Sequence, residues 1–174
     1  MGARAMQRGQ VVLVDTNIII EAVRTNCWTA LTTHFCVETV EKCCEEARTG
    51  QLHRPGYVEV AEKALRDRLK VHQVSNAELA ALGLRDAEAF RLDAGERHLW
   101  AHGLGRNDAW IASCCDNAAI NAAIRLGWEE RLKSLEELVN AAGARTASRN
   151  LKEQFGSARL STWRTTALLK RGLK

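Results

Sequence analysis

The sequence predicts an α/β fold, specifically a three-layer α/β/α sandwich with a mainly parallel sheet of four to five strands. Short, almost continuously apolar runs alternate with helical patterns, which is typical of parallel βαβ units. The runs lack the polar alternation of a strand with one face in water, so we expect helices on both faces of the sheet. A length of 174 residues suits a single hydrophobic core.

The predicted elements follow in order from apolar runs and from the residues that end them. The strands cover residues 10–15, 33–37, 71–74 and 109–114. The helical patterns cover residues 17–24, 39–48, 57–69, 76–82, 94–103, 117–126 and 134–141. Gly50 ends the second helix, and Gly127 ends the helix predicted over 117–126. Ser75 and Asn76 are suited to cap the fourth helix.

Composition divides the chain into three parts, because it changes near residue 143. We expect a flexible N-terminal tail over 1–9, an α/β domain over 10–142 and a basic helical extension over 143–174. From Arg145 onward the chain carries eight basic residues and one acidic residue, a net charge of +7, which leaves −3 for residues 1–144. Such a segment attracts polyanions, and nucleic acid is the obvious candidate. The alternative is a solvated terminal helix whose charge is incidental.

The candidate nucleic-acid-binding residues lie in this basic extension. They are Arg145, Arg149, Lys152, Arg159 and Arg164. Apolar residues recur irregularly among them, which predicts one or two amphipathic helices packed on the body, on a partner or on a second copy of the chain.

Other sequence features bear on location and on metal chemistry. No apolar run approaches the roughly 20 residues needed to cross a bilayer, and residues 1–10 lack the apolar stretch of a signal peptide. We therefore expect a soluble, cytoplasmic protein that does not enter a membrane. The six cysteines form no C-x-x-C motif, which argues against a zinc ribbon and favours buried free thiols.

Acidic residues stand at the ends of several predicted strands. Asp15 follows the run Val11 to Val14, and Asp116 follows the run that ends at Cys115. Ligands of an open α/β sheet bind beyond the carboxyl ends of its strands, so these acids face the expected site. Further acids stand near it in the predicted fold. They are Glu38 and Glu41 around the second strand, and Asp93 and Glu96 at the start of a helix.

Clustered carboxylates repel one another, by roughly 4 kcal/mol per pair at 4 Å and an effective dielectric constant near 20. Either raised pKa values keep some of them protonated, or a cation neutralises them. A set of Asp and Glu without His or Cys suits hard ions such as Mg²⁺ or Mn²⁺. Such an ion can activate water and stabilise a phosphoryl group under in-line attack, so phosphodiester hydrolysis is the natural chemistry.

Four motifs follow one another over about residues 10–140. They are Val-Asp-Thr-Asn at 14–17, an acid at the start of the helix after the second strand, Leu-Asp-Ala-Gly-Glu at 92–96, and Cys-Asp-Asn-Ala-Ala at 115–119 followed by Arg-Leu-Gly-Trp at 125–128. Their order resembles the PIN-domain family of metal-dependent nucleases, which includes the toxin ribonucleases of toxin–antitoxin pairs. Each motif alone is weak, and together they are fairly specific.

The resemblance implies roles for individual residues. Asp15 would be the first metal ligand, oriented by Thr16 or Asn17. Glu41 is the first choice for the second acid, with Glu38 almost as good, and the other of the two would only stabilise a helix N-terminus. Glu45 and Glu46 are expected on the solvated face of that helix.

The resemblance also assigns the acids of the last two motifs. Glu96 would face the site, with Asp93 as a second candidate on the same side of the helix. Asp116 would be the fourth acid. The chain departs from a common variant of the family that has two consecutive aspartates, because Asn117 stands at the second position. That difference favours one ion, or a second ion completed by the substrate.

Structural alternatives exist for several of these residues. Asp15 could simply cap the helix that follows it, and Asp93 with Glu96 could form a capping box. His98 and His102 stand four apart and could hold zinc with Glu96, but no third ligand lies at helical spacing. Solvent-facing or phosphate-contacting histidines are the simpler interpretation.

Together these observations predict a divalent-metal-dependent endoribonuclease that acts on single-stranded or structured RNA. A toxin with an antitoxin-like protein partner is one version of this function, and a homodimer is compatible with it. The alternative is a PIN-like module that binds nucleic acid or protein and cleaves weakly or not at all, for which Asn117 is the supporting feature.

Overall fold

A computed structural model describes residues 6–49 and 66–172. Its centre is a parallel sheet in which β1 lies between β2 and β4, and β3 lies outside β2. The strands are β1 (Val11–Val14), β2 (Cys36–Val40), β3 (Lys70–His72) and β4 (Ile111–Ser113). Leu13 is in register with Glu38 on one side and with Ala112 on the other. An isolated parallel bridge from Ala112 to Leu132 extends the sheet beyond β4.

Helices fill the connections between strands and continue to the end of the described chain. The α-helices are α1 (Thr16–Arg24), α2 (Trp28–His34), α3 (Glu41–Thr49), α4 (Asn76–Arg85), α5 (Ala94–Leu104), α6 (Asn117–Arg125), α7 (Leu135–Ala141), α8 (Arg145–Ser148) and α9 (Ser157–Gly172). Short 3₁₀ helices cover Ala87–Arg91, Glu129–Arg131 and Glu153–Phe155. Side-chain oxygens of Asp15, Ser75, Asp93, Asp116 and Ser134 cap the N-termini of five α-helices.

The core has two halves, one on each face of the sheet. Leu13 packs with buried residues of α4, α5, α6 and α9. Its neighbours Val12 and Val14 point to the opposite face and pack with buried residues of α1, α2 and α7. Successive strand residues point to opposite faces, so apolar residues at all three positions require helices on both sides. The predicted three-layer α/β/α fold is confirmed.

The segment before β2 differs from the prediction. Residues 33–35 were expected to begin the second strand, but helix α2 extends through His34 and the strand begins at Cys36. Thr32 and Thr33 resemble strand residues because they are β-branched. Their hydroxyls donate instead to the carbonyls of Trp28 and Thr29 at 3.0 and 2.7 Å, so the polar groups of these threonines find partners within the helix. Most of the helix predicted over 57–69 lies outside the described residues.

Both ends of the described chain contact the body. The Gly9 backbone N–H donates to the His34 carbonyl at 2.7 Å, and Met6 packs on the α1 side of the core. Residues 1–5 of the tail expected over 1–9 lie outside the described residues. At the other end, α9 lies against α6 and buries Leu160 and Ala167. None of the helices in the described residues is long and apolar enough to cross a membrane.

Candidate active site

Asp15 lies at the carboxyl end of β1 and is almost completely buried, with 2% of its surface exposed. Its Oδ1 caps α1 by accepting the Ile18 backbone N–H at 2.8 Å. Its Oδ2 is buried and has no hydrogen-bond partner in the described parts of the chain. Asp15 therefore does cap the helix, as the structural alternative predicts, but capping uses only one of its two carboxylate oxygens. The second oxygen is left for another ligand.

Asp93 and Glu96 stand at the start of α5. Asp93 caps the helix by accepting the Glu96 backbone N–H at 2.8 Å. Helices α4 and α7 have complete capping boxes, in which the glutamate at the third position also bonds back to the capping residue. Only the first half of that pattern occurs at α5. The carboxyl group of Glu96 is buried and does not complete a capping box with Asp93.

Asp116 follows β4 and caps α6. Its Oδ1 accepts the backbone N–H groups of Ala118 and Ala119 at 2.6 and 3.4 Å. Unlike Asp15, the residue is exposed to solvent. Because β1 and β4 are adjacent and parallel, their ends bring Asp15 and Asp116 to the same edge of the sheet.

The acids at this edge act on one another electrostatically. The pKa of Asp15 is raised to about 7, mainly by burial and also by the charges of Asp93 and Asp116, although the backbone N–H groups of Ile18 and Cys115 act in the opposite direction. Burial likewise raises the pKa of Glu96 to about 9, together with the charges of Asp93, Asp116 and Asp15. The four sequence-predicted residues Asp15, Asp93, Glu96 and Asp116 therefore form one group, called the acidic pocket below.

Glu46 of α3 also joins the acidic pocket, although the sequence placed it on the solvated face. Its Oε1 accepts the Gly95 backbone N–H at 2.9 Å, and its Oε2 accepts the Thr16 hydroxyl at 3.2 Å. Its charge contributes to the raised pKa of Glu96. A Cβ on residue 95 would collide with the Glu46 carboxylate, so glycine permits this approach.

The two preferred candidates for the second acid have other partners. Glu41 forms an ion pair with Arg66 at 2.6 Å in the first turn of α3. Glu38 lies within β2 rather than after it, level with Leu13, and contacts His72 and Arg106. Burial alone would raise the pKa of Glu38, but hydrogen bonds from His72 and Arg106 and the charges of Arg106 and Lys70 lower it. Glu46 contacts the acidic pocket through Gly95 and Thr16.

The supporting polar residues are placed differently from the prediction. The Thr16 hydroxyl donates to the Cys43 carbonyl at 3.1 Å and to Glu46, so it holds α3 against α1 and does not orient Asp15. Asn17 is exposed. Asn117 is also exposed, and its Oδ1 accepts the Asn121 side-chain amide at 3.4 Å.

Buried thiols surround the acidic pocket. Burial and the charge of Asp15 raise the pKa of Cys43 to about 12. The same causes raise the pKa values of Cys114 and Cys115. These cysteines are neutral at physiological pH and supply no charge that would balance the carboxylates.

The donor set of the acidic pocket fits a hard divalent cation. It consists of carboxylate oxygens, one of them buried and unpartnered, and Mg²⁺ and Mn²⁺ prefer such ligands. Burial is the strongest influence on the pKa values of Asp15 and Glu96, neighbouring acids raise both values further, and no side-chain cation is among their main influences. A bound cation would favour ionisation of both groups.

The predicted nucleic-acid-binding residues are mostly free on the surface. Arg145, Arg149, Lys152 and Arg159 are exposed, and the Arg159 guanidinium carbon lies over the Trp163 ring, 4.7 Å from its centroid. Arg164 differs, because its Nη2 donates to the Leu132 carbonyl at 2.7 Å and its Nε is buried. It anchors α9 to the body.

Neither the family models nor the curated proteins include a match to this chain. The resemblance to PIN domains accordingly stays a prediction based on the four motifs.

Proposed function

We propose that this chain is a divalent-metal-dependent endoribonuclease of the PIN-like type, with Asp15, Glu96, Asp116 and Glu46 as the carboxylates of its active site and Asp93 beside them. The observation that supports this most is the unpartnered, buried Oδ2 of Asp15 among several other acids. An arrangement of this kind is unfavourable for folding alone, because each carboxylate destabilises the charge of its neighbours.

Each residue contributes differently to the proposed site. The Ile18 N–H holds Oδ1 of Asp15, and Oδ2 has no hydrogen-bond partner in the described residues. Gly95 and Thr16 hold Glu46 in place through two hydrogen bonds. Glu96 keeps a proton at neutral pH, because its pKa is about 9, until a cation replaces it. Bound Mg²⁺ or Mn²⁺ would supply activation of water and stabilisation of charge on the phosphate.

The substrate class follows from the charge distribution. A negatively charged body repels phosphates, whereas the exposed cations of the C-terminal extension attract them. Contacts to the phosphate backbone position a nucleic acid without reading its sequence. We therefore infer that Arg145, Arg149, Lys152 and Arg159 hold the RNA backbone, while Arg164 has a structural role.

The experiment is cleavage of end-labelled RNA by the purified chain with Mn²⁺ or Mg²⁺. The double variant Asp15→Asn, Asp116→Asn keeps both capping oxygens and should lose activity by at least about 100-fold, since even residues outside the ligand shell change metal sites by roughly 10–100-fold. The matched control, Glu130→Gln with Glu153→Gln, removes two exposed charges elsewhere and should retain activity. Cleavage that persists in the Asp double variant would contradict the proposal.

A second candidate function is a PIN-like module that binds nucleic acid or protein without cleaving it. Asn117 favours this candidate, because an amide there supplies one negative charge fewer than the aspartate of the common family variant. Calorimetric titration with Mn²⁺ distinguishes the two functions. Binding by the parent that is lost in Asp15→Asn supports the nuclease, whereas no binding by the parent supports the module.

A further inference from the structure

A second cluster of polar side chains lies away from the acidic pocket, where β2, β3 and the C-terminal half of α5 meet. Its centre is Glu38, which is 2% exposed and projects from the middle of β2. His72 of β3 and His102 of α5 lie beside it, with their rings stacked 4.1 Å apart. One ligand atom from each of these three residues lies within 4.8 Å of the others.

Two members of this cluster, Glu38 and His102, contact the same cationic group. Arg106 Nη1 lies 2.7 Å from Glu38 Oε2 and 3.0 Å from His102 Nε2. A guanidinium can only donate hydrogen bonds, so His102 Nε2 is an unprotonated acceptor. Burial and the neighbouring positive charges also lower the pKa of His102, which keeps the ring neutral. His72 Nε2 contacts the same carboxylate oxygen at 2.7 Å.

We propose that Glu38, His72 and His102 form a binding site for Zn²⁺ or a similar borderline cation, which competes with Arg106 for the same position. Two imidazoles and one carboxylate are the three protein ligands of many zinc sites, and water would complete the coordination. Imidazole ligands suit zinc better than Mg²⁺, which prefers oxygen, so this site and the acidic pocket select different ions. The inference does not depend on the nuclease proposal.

Arg106 can release Glu38 and His102 and still keep other hydrogen bonds. Its Nε and Nη2 already bond to Asp108 at 2.8 and 2.6 Å, so the guanidinium keeps two charge-assisted hydrogen bonds when Nη1 withdraws. Glu38 Oε1 faces Lys70 and Cys36, each at 3.6 Å, which leaves Oε2 to face the cation. His72 must lose or relocate its Nε2 proton to become a ligand.

Small side-chain movements complete the site. Ligand atoms about 2.1 Å from a tetrahedral zinc lie roughly 3.4 Å apart, compared with the limit of 4.8 Å in the structure. Binding therefore requires the ligand atoms to approach one another by up to about 1.4 Å, which is the scale of side-chain rotations. The bound ion would connect the edge strand β3 to β2 and to α5, so it should also raise the melting temperature.

The binding test uses the full chain with Asp15→Asn and Asp116→Asn, which weakens the acidic pocket and separates the two sites. Zinc is titrated against a chromophoric chelator, and we expect one tightly bound ion per chain. His72→Gln and His102→Gln should each lower the affinity by at least about 100-fold. His98→Gln is the matched control on the same helix, because His98 Nδ1 contacts the Ala94 carbonyl, and it should bind as the parent does.

Removal of the competing Arg106 should change the zinc affinity in the opposite direction from the histidine variants. Arg106→Gln removes the competing charge and should raise the zinc affinity by about 10-fold, within the usual range of couplings between two ligands. An unchanged or lower affinity would overturn the competition. Equal affinity in the His72, His102 and His98 variants would overturn the site.

If the histidine variants fail to fold, a measurement on the unmodified chain still tests the zinc site. X-ray absorption at the zinc edge should show two imidazole nitrogens together with oxygen ligands. A spectrum without imidazole, or with sulfur in place of it, would overturn the proposal. Failure to bind any zinc at micromolar concentration would do so as well.

Discussion

Asp15 combines a structural role and a predicted chemical role in one carboxyl group. Oδ1 caps α1, and Oδ2 lies buried without a partner in the described chain. A cap near solvent needs no such burial, and the raised pKa of about 7 reflects an unfavourable environment for its charge. Because Asp15 directly follows β1, it lies at the edge of the sheet formed by the carboxyl ends of the strands.

The raised pKa values of Asp15 and Glu96 predict how stability depends on pH. Each group binds its proton more tightly in the folded chain than in the unfolded chain, whose values are near 3.8 and 4.5. Their contribution to stability is therefore fully present below about pH 4 and decreases as the pH rises towards 7 for Asp15 and 9 for Glu96.

Asp15→Asn should remove the part of this decrease that belongs to Asp15. Without divalent ions, we expect the variant to be more stable than the parent at pH 8 by on the order of 4 kcal/mol, and similar or less stable at pH 4. Urea unfolding at both pH values measures the difference. Adding Mn²⁺ at pH 8 should stabilise the parent more than the variant. A parent and variant with parallel pH profiles would contradict the assigned pKa shift.

Glu46 provides a test of which acid of α3 belongs to the site. Glu46→Gln should lower Mn²⁺ affinity by roughly 10–100-fold, because it removes a carboxylate next to Glu96 and Thr16. Glu45→Gln is the matched control on the same helix, where Glu45 pairs with Lys42, and it should have little effect. If Glu41→Gln lowers the affinity more than Glu46→Gln does, the family-based choice is right and the assignment of Glu46 is wrong.

The difference between the acids that the sequence identified and Glu46 has a physical origin. Asp15, Asp93 and Asp116 follow apolar runs or precede helices, and such local patterns determine their place at the sheet edge. Glu46 faces the pocket because α3 lies against Gly95, and that approach depends on the packing of α3 on α5. Spacing along one helix contains no information about such a contact.

Helix α9 also shows that sequence patterns can predict an element without predicting what it packs against. The sequence predicted one or two amphipathic helices after residue 143 but left open whether the body, a partner or a second copy covers them. In the structure the apolar side of α9 lies on α6, and the helix runs from Ser157 beside Glu136 to Arg171 beside the Ile124 carbonyl. The fold class was predictable because it requires only the order of strands and helices, whereas this contact depends on three-dimensional packing.

Leu160→Ala should measure how much the packing of α9 stabilises the body. Leu160 is buried in the core with α6, and truncation of such a residue costs roughly 2–5 kcal/mol. Leu169→Ala on the same helix is the matched control, because Leu169 is 65% exposed and its loss should change stability by less than about 0.5 kcal/mol. Equal effects in chemical denaturation would show that α9 leaves the body before the rest unfolds.

The molecule as a whole separates charge into an acidic body and a basic C-terminal extension. The acidic pocket lies at the carboxyl edge of the sheet, where substrate phosphates would be repelled in the absence of cations. The extension carries its free cations on exposed positions around α8 and the start of α9. Attraction by the extension and repulsion by the body together should make RNA binding depend strongly on salt.

Arg149→Gln with Arg159→Gln should reduce that salt dependence. Each phosphate contact to single-stranded RNA contributes about 0.7 to the slope of log affinity against log salt concentration, so the slope should fall by about 1.4. The control, Arg8→Gln with Arg85→Gln, removes two exposed cations outside the extension and changes the net charge equally. Fluorescence anisotropy at several salt concentrations, in the Asp15→Asn, Asp116→Asn background, measures binding without cleavage. If both pairs reduce the slope equally, net charge alone attracts the RNA and the extension is not its binding surface.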